Sequence, residues 1–116
     1  MMHAPYSIRT NQSTQKVEMK VNGTFTPQDY QNFARDYAKM AASIDAQAFT
    51  LIVDCRDMDL LGTEEVEKLK GSFLSYKETG FRRVLFTISP AQTIIKMQLA
   101  RVARQAGLDN HEIVTE

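Results

Sequence analysis

The sequence predicts an α/β protein: a mixed, largely parallel β-sheet with an amino-terminal hairpin and three main helices packed on it. Three observations carry this reading. Two short apolar runs, Phe49–Val53 and Val84–Ile88, are rich in β-branched residues and read as strands covered on both faces. Each run is followed by helix-start residues and an apolar stripe at helical spacing. Ahead of them, Val17, Met19 and Val21 alternate with Lys16, Glu18 and Lys20, the period-two mark of a strand with one face in water. Strands alternating with helices imply right-handed crossovers and parallel pairing.

Met1 to Pro5 is expected to be loose, within a single domain spanning residues 1–116. Tyr6 and Ile8 alternate with Ser7 and Arg9 as a first strand. The polar turn Asn11–Thr14 leads into the second strand, which ends at Asn22-Gly23. Thr26, Pro27 and Asp29 then supply a cap, a proline suited to the first helical position and a reciprocal capping partner. Tyr30, Phe33, Tyr37, Ala41 and Ile44 form that helix's apolar face. A second helix should run from Glu64 to about Thr79, capped by Thr63 and buried through Val66, Leu69, Phe73 and Tyr76. Gly71 within it is expected to allow close packing on the sheet, and Gly80 to end it. Ser89-Pro90 should open a third helix with the stripe Ile95, Leu99, Val102 and Ala106. Gly107 closes it, Leu108 folds back, and Glu112–Thr115 is a last short strand.

The chain has 116 residues, 43% of them hydrophobic and 24% charged, which suits a soluble globular protein. The formal net charge is zero, which argues against a nucleic-acid partner held by a basic surplus. No run has the length of a membrane span, and the first ten residues contain no signal-peptide core. The lone Cys55 has no intrachain disulfide partner, so a reducing, cytoplasmic setting is expected.

The stretch from Phe49 to Val66 is the leading functional segment. Asp54, Asp57 and Asp59 crowd the expected strand end, Leu60 and Leu61 turn the chain inward, and Glu64 and Glu65 open the next helix. In open α/β sheets, function gathers beyond the carboxyl ends of the strands. From Asp54 to Glu67 six residues are acidic and only Arg56 is basic, whereas from Lys68 to Arg104 eight are basic against Glu78 alone. Such a bipolar face suits the docking of a charged protein partner, and a solvated surface is the plain alternative.

The run LIVDCRDMDLLGTEEVEKL resembles the sulfate-transporter and anti-sigma-factor-antagonist (STAS) family, as a divergent member. In that family a buried strand ends in Asp and an Asp-Ser-Ser-Gly-like turn opens a helix. Asp54 matches the strand-end Asp, and Thr63 falls where the family often carries a phosphorylatable residue. Gly62 stands in place of its Asp, and Glu64 and Glu65 in place of the following Ser and Gly. The order of elements from Lys16 to Leu108 is also similar. The resemblance implies a STAS-like fold and a non-catalytic regulatory role in bacterial-type signalling. It makes Thr63 a candidate phosphoacceptor and a kinase-like anti-sigma factor the candidate partner. The docking residues would be Asp57, Asp59, Gly62, Thr63, Glu64, Glu65 and Glu67. A phosphate on Thr63 would meet two carboxylates in its own turn, so a plain helix cap is the competing reading.

The alternative function is a small-molecule or lipid sensor with a pocket between sheet and helices, lined by Tyr30, Phe33, Tyr37, Phe73 and Tyr76. Catalysis finds little support. The three aspartates fit no metal-loop spacing, and His3 and His111 offer no ligand pattern. Cys55 reads as a buried structural thiol, and no phosphate-binding glycine loop occurs. No cofactor, metal or catalytic residue is assigned, and the sequence is compatible with a monomer or a dimer.

Overall fold

The computed structural model describes residues 5–23 and 25–116; of the segment expected to be loose, the first four residues lie outside this range. β1 (Tyr6–Asn11) and β2 (Lys16–Gly23) form the expected antiparallel hairpin, with Tyr6 opposite Val21 and Asn11 opposite Lys16. Then come α1 (Pro27–Ala42), β3 (Thr50–Met58), α2 (Thr63–Thr79), β4 (Arg83–Ile88), α3 (Thr93–Ala106) and β5 (His111–Thr115). The sheet order is β1-β2-β3-β4-β5, and every pair after the hairpin is parallel.

This sequential order decides which face is buried. Each crossover steps to the adjacent strand in the same direction, so right-handed connections place all three helices on one side of the sheet. Burial follows that side: Leu51, Val53 and Cys55 of β3, and Val84, Phe86 and Ile88 of β4, are all buried. Their neighbours Ile52, Asp54 and Leu85 are only half-buried. The expectation that the apolar runs are covered on both faces is therefore corrected. The apolar residues of the second face meet each other, Ile52 opposite Leu85, and not a second helix layer.

Helix ends follow local chemistry in some places and not in others. At α1 the capping box forms as expected: Thr26 Oγ1 accepts from the Asp29 N–H at 3.1 Å, and Asp29 Oδ2 accepts from the Thr26 N–H at 2.8 Å. At α2 the capping residue is Gly62, not Thr63. Thr63 is the first helical residue, and Glu65 folds back so closely that its Oε2 lies 2.8 Å from where a β-carbon on Gly62 would stand. At α3 the start moves from Ser89-Pro90 to Thr93, because Ser89–Gln92 close a turn through Gln92 N–H to Ser89 O at 3.1 Å. Gly71 is exposed with no side-chain neighbour near it, so it does not serve close packing on the sheet. α2 and α3 both end at left-handed glycines, Gly80 and Gly107, as the spacing predicts.

The core lies between sheet and helices. Phe73 of α2 stacks on Phe86 of β4 with ring centroids 4.7 Å apart, and Leu99, Val102 and Leu108 fill the space beside them. α2 packs chiefly against α3, whereas α1 leans toward β1. A groove lined by the small residues Ala34, Ala38, Gly71 and Ser75 is left between α1 and α2. Across it the Tyr37 hydroxyl meets Thr79 Oγ1 at 2.7 Å, and burial raises the Tyr37 pKa to about 12.

Candidate functional site

β3 runs past Asp54 to Met58, longer than the apolar run alone foretells, because β2 continues alongside it: Asn22 pairs with Asp57 and Gly23 with Met58 after a register shift. Asp54 and Asp57 are thus strand residues, and the loop proper is Asp59–Gly62. Two glutamines near the start of α3 hold this region. Gln92 Nε2 donates to Cys55 O at 2.9 Å, while Gln98 accepts from the Leu61 N–H at 3.3 Å and donates to Leu61 O at 3.0 Å. A side chain that satisfies both polar groups of one peptide fixes the loop against the helix.

Fixing Leu61 leaves Leu60 outside. Leu60 is 62% exposed, contrary to the expectation that both leucines turn inward; Leu61 is half-buried. Around Leu60 the chain places the expected acidic residues. Asp57 pairs with Lys20 at 3.0 Å, with both side chains well exposed, a contact worth about 0–1 kcal/mol. Asp59, Gly62, Thr63, Glu64 and Glu67 are exposed, and Glu65 is half-buried. Glu64 and Glu65 lie in the first turn of α2, where the helix dipole favours negative charge.

Asp54 is turned to a different task. Arg56 grips it through Nε and a terminal nitrogen, each at 2.9 Å, on the uncovered face of the sheet. The Arg56 hydrogen bonds hold the Asp54 carboxyl below the ordinary carboxylate value of 3.8. The folded chain therefore binds this proton less readily than the unfolded chain. The resulting stability is present in full above the ordinary value and is lost as pH falls below it. Asp54→Asn is expected to lower the urea midpoint at neutral pH, and the gap from wild type should close in strong acid. Midpoints measured across that range check this.

Behind the acidic loop lies an apolar pocket. Phe25, Tyr30 and Phe33 wall it on the α1 side, Leu69 and Tyr76 on the α2 side, and Leu60 stands at its edge. The volume in it that a water molecule can occupy is about 50 Å³. The rings touch in series: Phe25 and Tyr30 are 5.0 Å apart between centroids, and Tyr6 meets Phe33 edge-on at 5.3 Å. Of the five residues expected to line a pocket, Tyr30, Phe33 and Tyr76 do so. Tyr37 borders the neighbouring groove, and Phe73 is sealed in the core against Phe86. Phe25, Leu69 and Glu65 are pocket residues that the sequence reading did not assign; for Phe25 the available signal was its place directly before a capped helix.

The Cys55 thiol is buried, and loss of hydration raises its pKa to about 12, an inert environment for a nucleophile. Among the described residues no three His, Cys, Asp or Glu side chains gather as metal ligands would. No helix among them is long and apolar enough to cross a membrane.

No protein-family model matches this sequence, and no curated protein does. A solved structure does resemble it: an uncharacterised protein of the DUF3478 family with a SpoIIAA-like fold, from Shewanella loihica PV-4. The two superpose with a TM-score of 0.65 over 96% of this chain and 83% of the other, at 19% sequence identity. Five strands in sequential order, a hairpin, three parallel crossovers and this superposition agree with the STAS resemblance of the central segment. The chain has a SpoIIAA-like fold.

Proposed function

We propose that this chain is a non-catalytic, cytoplasmic regulatory domain that docks a protein partner through the face from Asp57 to Glu67. The observation that carries this reading is Leu60, a large apolar side chain 62% exposed within the segment that also presents the exposed acidic residues Asp57, Asp59, Glu64 and Glu67. An apolar anchor inside a charged rim is the anatomy of specific interfaces, where the anchor contributes affinity and the rim steers encounter. The clamp of Gln98 on Leu61 supports it by presenting Leu60 on a fixed loop. By resemblance the partner is a kinase-like anti-sigma factor. The Thr63 hydroxyl, not engaged as the helix cap, is exposed on the same face and is the candidate phosphoacceptor there.

The test uses a partner purified with the wild-type protein. Glu64→Lys with Glu67→Lys should leave the domain folded, because reversing Glu64 weakens the helix-dipole interaction by only about 0.3–1 kcal/mol. Association with the partner should nevertheless slow several-fold at low salt, and the deficit should shrink as salt rises. Leu60→Ser should instead speed dissociation. Unchanged binding by both folded variants removes this face as the docking site.

A second reading, a small-molecule or lipid sensor, is favoured by the pocket of Phe25, Tyr30, Phe33, Leu69 and Tyr76. The volume there that a water molecule can occupy is about 50 Å³, below the roughly 300–1,000 Å³ typical of small-molecule sites, so it suits a small group and not a whole lipid. A small molecule retained by the native protein in mass spectrometry, and lost on Leu69→Trp, is the result expected of it.

A further inference from the structure

The pocket behind the acidic loop is largely apolar, with Ser72 and the tyrosines Tyr30 and Tyr76 among its lining residues. Of the described residues lining it, Glu65 alone carries a formal charge. The Glu65 side chain folds back over Gly62 at the amino end of α2, which places a carboxylate by the pocket. Among the described residues no cation pairs with it. Lys68, one turn further along α2, serves the other side of the wall: its Nζ stands 4.6 Å from the Tyr30 ring centroid, and it borders the outer groove, which Glu65 does not. Tyr30 therefore separates a space whose charge is Glu65 from a groove that holds Lys68. Lys20 of β2 is engaged with Asp57.

These features select on charge. An apolar body is favoured by Phe33, Leu69 and Tyr76. A cationic head gains twice, from the Glu65 carboxylate and from the electron-rich faces of the Phe25 and Tyr30 rings. A neutral head leaves the carboxylate desolvated without a partner, and an anionic head meets like charge. We propose that this pocket binds a small organic cation, an ammonium group on an aryl or alkyl body, with its head on Glu65 and its body against Phe33, Leu69 and Tyr76. The proposal rests on the pocket reading above and goes beyond it by naming the ligand class and the residue that selects it.

Three probes of one shape test it: 3-phenylpropylamine, 3-phenylpropanol and 3-phenylpropanoate, titrated into the full chain and followed by amide chemical shifts. The amine is expected to bind about tenfold tighter than the alcohol. The carboxylate should be weakest, and the shifts should centre on Tyr30, Glu65 and Leu69. In Glu65→Gln the amine should fall to the level of the alcohol, and the alcohol should be unaffected. A thermal melt confirms that this variant is folded. Lys68→Ala, on the far side of Tyr30, should keep the preference for the amine. Equal binding of amine and alcohol to the wild type overturns the charge selection and leaves the pocket reading standing. Absence of shifts at the pocket with all three probes overturns both.

Discussion

Phe86→Ala is expected to destabilise the fold by about 3–5 kcal/mol, the range for truncating a fully enclosed aromatic side chain. Phe86 is 0% exposed and stacks on Phe73, itself 1% exposed, so the pair joins β4 to α2 across the layer boundary. Small proteins have about 5–15 kcal/mol of stability in total, so this loss is a large share of it. Leu85, one residue earlier, is the control. It is half-buried on the uncovered face, opposite Ile52, and Leu85→Ala should cost about 1 kcal/mol or less. Val53→Ala, which removes a smaller side chain from the helix-covered face, should fall between the two. Urea titrations of the three variants decide it. Equal losses at 85 and 86 would mean that both faces of the sheet are covered, against the burial pattern.

Those neighbouring residues also mark where the sequence stops being legible. The apolar runs at Phe49–Val53 and Val84–Ile88 identify strands because their composition is local information. Whether Ile52 and Leu85 meet a second layer depends on the direction in which each crossover steps, which only the assembled topology fixes. Helix starts divide in the same way. The α1 capping box was readable because Thr26, Pro27 and Asp29 are all within one turn. At α2 residue type favoured Thr63, yet the cap went to Gly62, over which Glu65 folds back. At α3, Ser89-Pro90 has the chemistry of a start but was used for a turn. The acidic composition of the candidate site was legible in full. The exposure of Leu60 was not, since it follows from a hydrogen bond made 37 residues away by Gln98, and a lone glutamine in a helix announces no partner.

Gly107→Val is expected to cost about 2 kcal/mol, through the backbone and not through a contact. Gly107 ends α3 at φ +70, where its N–H donates to Arg104 O at 3.2 Å, and the Leu108 N–H returns to Ala103 O at 2.9 Å. That turn places Leu108, 1% exposed, in the core, so a change that unwinds it also withdraws a buried side chain. A β-branched residue is strained in the left-handed region, whereas asparagine visits it more readily. Gly107→Asn should therefore lose well under half as much. A β-carbon here would also come within 2.8 Å of Lys77 Nζ, but that atom is the free end of a flexible chain and can swing away. Repeating both substitutions in a Lys77→Ala background separates the causes by thermal unfolding. If the left-handed backbone is the cause, the gap between valine and asparagine persists without Lys77. If the gap closes, crowding by Lys77 set the penalty, and the glycine is required for space and not for its conformation.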